Sequence, residues 1–161
     1  MITTSYSTVI DHRLDKTWAL LRDFNNYPVY IDGVTDSVIE DARRGDEVGA
    51  VRRFCYGGVW LRQRLQAHSD DRSSLTYAGL APFAYPEGVV DERPPPAAYE
   101  GTIRLLPVVD GDRTYIEWSV SVDAAPAHAD SWRKLLMQLI PEWTESLRRT
   151  LERRLSRQSR N

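Results

Sequence analysis

The sequence is poor in cysteine and has no long apolar run. A single cysteine, Cys55, among 161 residues excludes an internal disulfide and gives no sign of an oxidising compartment. No stretch approaches the roughly 20 apolar residues of a membrane-spanning helix, so we expect no stable membrane insertion. The polar segment 1–7 also lacks the charged-then-apolar order of a secretory signal. These absences together predict a cytoplasmic location.

The sequence also lacks an excess of positive charge and any recognisable metal or phosphate motif. Its formal net charge of −2 argues against a nucleic-acid-binding domain, because such domains are usually clearly basic. The histidines His12, His68 and His128 lie far apart and form no zinc-ligand spacing with Cys55. No glycine-rich phosphate loop or serine elbow is present. We therefore expect neither a metal nor a cofactor.

The composition that remains is that of one globular domain. Hydrophobic residues make up 42% of the chain and charged residues 27%, which is typical of a folded soluble protein. A chain of this length buries about 70% of its unfolded surface and needs no disulfide or metal for stability. The sequence predicts a single domain over residues 1–156, followed by a basic tail over 157–161.

The N-terminal region predicts a strand followed by two short helices. Residues 3–10 are rich in β-branched and aromatic types, which favours a strand. A helix is expected from Asp15, whose side chain is a candidate N-cap. Its apolar residues recur three apart, at Trp18, Leu21 and Phe24. A second helical turn is predicted over 29–32.

Six further strands are expected, most of them joined by short polar turns. Their predicted ranges are 34–40, 47–56, 59–68, 73–80, 99–109 and 113–123. Short turns connect antiparallel neighbours, so the pattern indicates a meander rather than a parallel sheet. The proline-rich segment 81–98 is predicted to be a long loop, either a lid over a binding site or a surface excursion.

A long helix is predicted at the end of the chain, over about 129–155. Its apolar stripe consists of Trp132, Leu136, Leu139, Trp143, Leu147 and Leu151. Pro141 lies inside the stripe and is expected to kink the helix.

Several local segments match a known superfamily. The segments Trp18–Pro28, Val48–Arg53 and Thr114–Trp118, with Tyr77 and Tyr99, resemble the START/Bet v 1-like helix-grip (SRPBCC) superfamily. The closest resemblance is to its bacterial polyketide cyclase/dehydratase and lipid-transport-like branch, over residues 3–155. The resemblance implies an α+β fold in which a curved seven-stranded antiparallel sheet surrounds the long C-terminal helix, with two short helices after strand 1.

The same resemblance implies a ligand site between the sheet and the last helix. A strongly curved sheet cannot pack flush against one helix, and the hollow that remains suits a small hydrophobic molecule such as a polyketide, isoprenoid, quinone or lipid. The implied ligand-binding residues are Phe54, Leu61, Gln63, Leu65, Tyr77, Tyr99, Glu117, Trp132, Leu136, Leu139 and Trp143.

Side-chain alternation supports only part of this set. In strand four it places Leu61, Leu65 and Ala67 inward and Arg62, Arg64 and His68 outward. In strand seven it predicts a different inner face from the resemblance. The apolar face consists of Ile116, Trp118, Val120 and Val122, whereas the resemblance places Glu117 inside.

Three functions stay open at this point. A binding protein or carrier is the leading hypothesis. An aromatase/cyclase-type enzyme would use Glu117, Arg52 and Tyr99, with burial raising the pKa of Glu117 and Arg52 pairing with it or with a ligand carboxylate. If Glu117 and Arg52 are instead surface residues, that enzyme loses its support. The third candidate is a quinone-binding or protein-interaction helper, dimerising through an outward apolar face of strand seven.

Overall fold

A computed structural model describes residues 1–160. The strands are β1 (Ile2–Ile10), β2 (Val34–Ile39), β3 (Val51–Tyr56), β4 (Val59–Ser69), β5 (Ser74–Gly79), β6 (Ala98–Val108) and β7 (Arg113–Asp123). The α-helices are α1 (Leu14–Leu21), α2 (Tyr27–Tyr30) and α3 (Ala129–Gln158). The seven strands form one sheet in the order β1-β7-β6-β5-β4-β3-β2, and every neighbouring pair is antiparallel. The predicted helix-grip fold class is confirmed.

The first helix begins differently from the prediction. Its N-cap is Arg13, and no side chain caps it. Asp15 lies in the first turn, where one carboxylate oxygen accepts hydrogen bonds from the Lys16 amide and the Arg13 side chain. The predicted cap at Asp15 is therefore wrong, because the helix begins at Leu14 and Asp15 lies inside it. The second helix is also shifted, to 27–30, with Pro28 at a first-turn position that tolerates proline.

The long helix α3 covers the concave face of the sheet with its apolar stripe. Trp132, Leu136, Ile140, Leu147 and Leu151 are all buried. The helix runs without a break through Pro141, and the kink expected there stays a prediction. Residues 157 and 158 belong to this helix, whereas Asn161 of the predicted basic tail lies outside the described residues. Among residues 1–160, none of the helices combines the length and the hydropathy that a membrane span requires.

Polar residues on the inner face of α3 hold the α2 segment in place. The Ser146 hydroxyl donates to the Tyr30 carbonyl at 2.6 Å and accepts from the Asp32 amide at 2.9 Å. The Thr150 hydroxyl donates to the Val29 carbonyl at 3.3 Å. These bonds satisfy backbone groups that α2 is too short to satisfy itself. They fix the segment that brings Tyr27 into the interior.

The structure of β7 shows which residues of this strand face inward, where side-chain alternation and the family resemblance gave different predictions. Its apolar face, formed by Ile116, Trp118, Val120 and Val122, is at most 4% exposed. The Trp118 ring lies 5.3 Å from the Trp143 ring of α3. Glu117 lies on the opposite face, where it pairs with Arg104 at 3.4 Å and accepts from the Tyr115 hydroxyl at 3.2 Å. The inward placement of Glu117 is wrong, and the apolar face is covered within one chain, without a dimer partner.

Strand β4 loses its alternation at a bulge. The register with β5 shifts between Leu65 and Ala67, which inserts an extra residue and reverses the faces that follow. Ala67 is exposed, and the side chain of His68 is only 8% exposed, with its ring 5.5 Å from that of Trp18. The predicted inward Ala67 and outward His68 are therefore both wrong.

Two glycines allow tyrosine rings to lie across the inner face of the sheet. Gly101 of β6 pairs directly with Tyr77 of β5, and a Cβ atom at Gly101 would overlap the Tyr77 ring and hydroxyl. A Cβ atom at Gly79 would overlap the Tyr99 ring in the same way. The missing side chains leave room for rings that any larger residue would displace.

We predict that Gly101→Ala destabilises the fold by about 1–3 kcal/mol, the usual cost of overpacking a core. The Tyr77 ring cannot easily yield, because its hydroxyl accepts a hydrogen bond from Trp118 at 3.1 Å. The measurement is the free energy of unfolding in urea. In a protein that already carries Tyr77→Leu, the same glycine substitution should lower the free energy of unfolding much less. Equal losses on both backgrounds would contradict the predicted overlap.

Candidate functional site

An interior cavity of about 60 Å³ lies between the sheet and α3. Its wall is mostly carbon, interrupted by a few phenol, indole and amide groups. The lining residues are Tyr27, Ile31, Val34, Phe54, Tyr56, Leu61, Gln63, Tyr77, Phe83, Tyr99, Val120, Val122, Trp132, Leu136, Leu139 and Trp143.

Most of the expected ligand-binding residues meet at this cavity. Those on its wall are Phe54, Leu61, Gln63, Tyr77, Tyr99, Trp132, Leu136, Leu139 and Trp143. Leu65 is fully buried but belongs to the solid core beside the cavity, so it does not line the wall. Glu117 lies on the other face of the sheet.

Other lining residues were missed as site residues. Val120 and Val122 were correctly predicted to face inward, but nothing in the sequence connected them with a ligand. Tyr56 follows Phe54 by two residues on β3, so strand alternation could have found it. Tyr27 and Phe83 come from the short helix and the long loop, which have no strand periodicity to reveal which way a side chain points.

A larger groove of about 700 Å³ lies outside the cavity, between the β3–β4 hairpin and the segment 80–86. Five residues line both spaces, and we call them the gate: Tyr56, Leu61, Phe83, Tyr99 and Leu139. The interior holds only a few water-sized molecules while the gate side chains stay in place. The gate residues therefore form the wall that the cavity and the groove share.

The long loop is tied down on the α3 side of the cavity. Tyr85 is 1% exposed, its hydroxyl donates to the Ser131 carbonyl at 2.8 Å, and its ring lies 5.0 Å from that of Trp132. Phe83 and Ala97 exchange two backbone hydrogen bonds, at 2.8 and 3.0 Å, which close the base of the loop. The segment beyond β5 is therefore a fixed wall at these points.

Arg52 is buried beneath the cavity wall, with 2% of its surface exposed. It pairs across the sheet with Gln63, and its Nε donates to the Gln63 side-chain oxygen at 3.0 Å. Its Nη1 donates to the Phe24 carbonyl at 3.0 Å. The guanidinium carbon lies 3.4 Å from the Tyr27 ring centroid and 3.8 Å from that of Phe24. The alternative of a surface Arg52 is wrong.

No carboxylate neutralises this cation. Arg52 forms no ion pair with any residue from 1 to 160, and Glu117, its expected partner, lies across the sheet. Neutral oxygens and aromatic faces hold it instead, the latter through cation–π attraction. A full positive charge is therefore buried next to the cavity without a balancing negative charge, an arrangement that attracts negative charge to its surroundings.

Gln63 links Arg52 to the cavity through hydrogen bonds. Its side-chain oxygen is taken by the guanidinium, so its amide nitrogen faces Tyr99 and donates to that hydroxyl at 2.9 Å. Burial raises the pKa of Tyr99, while the hydrogen bond from Gln63 lowers it in part. Tyr99 consequently stays a protonated phenol near neutral pH.

Two other phenols in the wall are held in a similar way. Tyr77 accepts from the Trp118 indole at 3.1 Å, and Tyr56 accepts from the Trp143 indole at 3.0 Å. Burial raises the pKa of both hydroxyls, well above the ordinary value for Tyr77. These phenols are fixed neutral groups whose oxygens already accept a hydrogen bond.

We predict that Arg52→Ala lowers the free energy of unfolding by about 3 kcal/mol, because it leaves the Gln63 oxygen and the Phe24 carbonyl without donors and opens a hole. Arg53→Ala is the matched control, since its side chain is exposed, and should change stability by about 0.5 kcal/mol or less. Urea unfolding of both variants provides the measurement. Equal and small effects would refute a structural role for Arg52.

Comparison with solved structures finds the same architecture in several proteins. XoxI from Bacillus cereus is 19% identical, with a TM-score of 0.74 over 94% of this chain and 96% of that one. A START superfamily protein from Mycobacterium smegmatis is 12% identical, with a TM-score of 0.73 over 95% and 99%. The di-domain ARO/CYC protein BexL is 11% identical, with a TM-score of 0.73 over 94% of this chain and 47% of that one. At these identities the likeness concerns the fold alone.

The sequence itself identifies a family. No curated protein matches the chain significantly. A family model described as polyketide cyclase / dehydrase and lipid transport matches residues 1–158, essentially the full length. The chain belongs to the polyketide cyclase/dehydrase and lipid transport family, within the SRPBCC group.

Proposed function

We propose that this protein binds a small hydrophobic molecule, such as a polyketide, isoprenoid, quinone or lipid, between the sheet and α3. The observation that carries the proposal is the cavity, whose wall is carbon-rich, contains a few fixed polar groups and is continuous in its lining with an outer groove. Such sites suit apolar ligands that are oriented by a small number of hydrogen bonds. The family description, which includes lipid transport, agrees with this class of ligand.

The size of the cavity makes gate movement part of the proposal. A volume of about 60 Å³ is too small for a polyketide or a lipid chain. The gate residues Leu61, Phe83 and Leu139 separate this space from the groove of about 700 Å³. Outward displacement of these side chains would join the two spaces, at the cost of the contacts they make when closed. The ligand then replaces those contacts with its own apolar surface.

The enzymatic alternative is weaker, for a specific reason. No aspartate or glutamate lies among the lining residues from the described range 1–160, so the cavity offers no carboxylate for acid–base catalysis. Glu117, the residue on which a carboxylate mechanism depended, faces the other side of the sheet. An aromatase/cyclase made from this chain would have to use a phenol of the wall, such as Tyr99, as its proton donor. Binding without chemistry requires none of these missing groups.

The hypothesis of a dimeric helper protein also has less support from the structure than it had from the sequence. Its supporting feature was an outward apolar face of β7, and that face is covered by α3 in the single chain. A homodimer and a cytoplasmic location stay predictions from sequence.

We predict that the protein binds N-phenyl-1-naphthylamine, a neutral apolar fluorophore, with an increase in its emission as it leaves water. Leu61→Trp should weaken this binding about tenfold or more, because the larger ring fills the gate from the β4 side. Leu106→Trp is the matched control, since Leu106 is 45% exposed and does not line the cavity. The proposal fails if the wild type does not bind the fluorophore, or if both variants bind it like the wild type.

A further inference from the structure

Three of the four phenols of the cavity wall share one hydrogen-bonding property. The phenols of Tyr56, Tyr77 and Tyr99 each accept a hydrogen bond from an N–H group of the protein, at 3.0, 3.1 and 2.9 Å. A phenol has one proton to donate and an oxygen that accepts. Since the oxygen of each already accepts one hydrogen bond, the stronger group that it can offer a ligand is its O–H donor.

Trp132 also lines the cavity, with its indole N–H enclosed by the protein. Its Nε1–H is buried and has no hydrogen-bond acceptor within residues 1–160. An indole nitrogen can only donate, and a buried donor without a partner is costly. Trp132 is 1% exposed and lines the cavity from α3, opposite the sheet phenols.

The Tyr99 donor is the strongest of these groups, because a positive charge polarises it. Arg52 donates to the Gln63 oxygen, and the Gln63 nitrogen donates to the Tyr99 oxygen at 2.9 Å. In this series of hydrogen bonds every donor points away from the cation, and each bond in such a series strengthens the next. Within the described residues the Tyr99 hydroxyl makes no other hydrogen bond. The Tyr99 proton is the last donor of this hydrogen-bond series, and Tyr99 lines the cavity.

We infer that the ligand is an oxygen acid, bound as its anion with the negative oxygen at Tyr99. The inference rests on the proposed binding function and adds to it the chemical class of the ligand. Donors stabilise an oxygen anion, and the uncompensated charge of Arg52 supplies the balancing positive charge through Gln63. Ligands that carry a positive charge, such as simple ammonium compounds, would face donors and a like charge, and are excluded.

The chemistry explains why the wall contains no carboxylate. An aspartate or glutamate in this position would pair with Arg52 and remove the positive charge that the ligand is to balance. Gln63 has the shape of glutamate but is neutral, so it orients Tyr99 without cancelling the cation. The single amide at this position therefore separates an anion-binding cavity from a neutral one.

The test uses 4-nitrophenol, whose phenolate absorbs visible light, and 4-nitroanisole, its methylated analogue that cannot ionise. Both are titrated into the full-length protein across pH, with binding measured by absorbance and calorimetry. We expect the ionisation midpoint of 4-nitrophenol to move to lower pH on binding, and 4-nitroanisole to bind about tenfold more weakly than the phenolate. A plain apolar cavity would shift that midpoint to higher pH, since burial without donors favours the neutral form.

Two variants test whether the hydrogen bonds from Arg52 through Gln63 to Tyr99, and not the packing of the cavity, stabilise the bound anion. Tyr99→Phe removes one hydroxyl, and Gln63→Glu neutralises Arg52 with almost no change of shape. Each should abolish the shift of the midpoint and weaken phenolate binding about tenfold, while 4-nitroanisole affinity changes little. Tyr115→Phe is the matched control, because its hydroxyl bonds Glu117 on the opposite face of the sheet, and it should leave both values unchanged.

The outcomes also separate the inference from the proposed function. If 4-nitroanisole binds as tightly as the phenolate, or the variants keep the shift, the anion inference is overturned and the apolar site survives. If neither probe nor the neutral fluorophore binds, both are overturned.

Discussion

The hydrogen bonds of the buried Arg52 guanidinium organise the interior of this protein. A charged group with 2% exposure is tolerated only when its donors are satisfied, and here a side-chain oxygen of β4 and a backbone carbonyl after α1 satisfy them. The aromatic faces of Phe24 and Tyr27 cover the planar group. One side chain thus ties β3 to β4 and to the helical segments after β1. The cavity lies directly beyond this contact, and Tyr99 receives its orientation from it.

The hollow next to Arg52 results from the shape of the sheet and of its side chains. The rings of Tyr77 and Tyr99 lie over glycines on the neighbouring strands. No side chain projects from the sheet at these glycines, so the rings can lie close to the backbone. The helix α3 meets this surface with Trp132 and Trp143, whose rigid rings cannot fill every gap. A small void remains where these rings meet, and the gate closes it from the groove. The binding that we propose therefore requires movement of a few side chains.

Much of the fold could be predicted from the sequence, because the relevant signals are local. Strand alternation, turn residues and the stripe of α3 found the elements, and alternation correctly placed Trp118 and its neighbours inside. Nine cavity residues were also named in advance. Glu117 was misplaced because it was carried over from distant relatives against the local pattern. His68 was misplaced because a bulge leaves little trace in the sequence.

The neutral and aromatic environment of Arg52 could not be predicted, and the reason is physical. An arginine in a strand next to another arginine looks like a surface residue, since burying a cation without a carboxylate is normally costly. What reverses this is a set of contacts from Phe24, Tyr27 and Gln63, brought together by three separate elements. Only the tertiary structure reveals that neutral oxygens and aromatic rings meet there. The gate has the same origin, since hairpin, loop and helix each contribute to it.

The most direct test of this account is hydrogen exchange at the Arg52 side chain, followed by nitrogen-15 NMR. We expect a resolved Nε–H resonance that exchanges with water far more slowly than that of the exposed Arg53, and that disappears in Arg52→Lys. Such protection requires a closed, hydrogen-bonded burial of the cation beneath the cavity. Exchange as fast as that of Arg53 would show that the guanidinium is hydrated, which would contradict the buried and uncompensated charge on which this account depends.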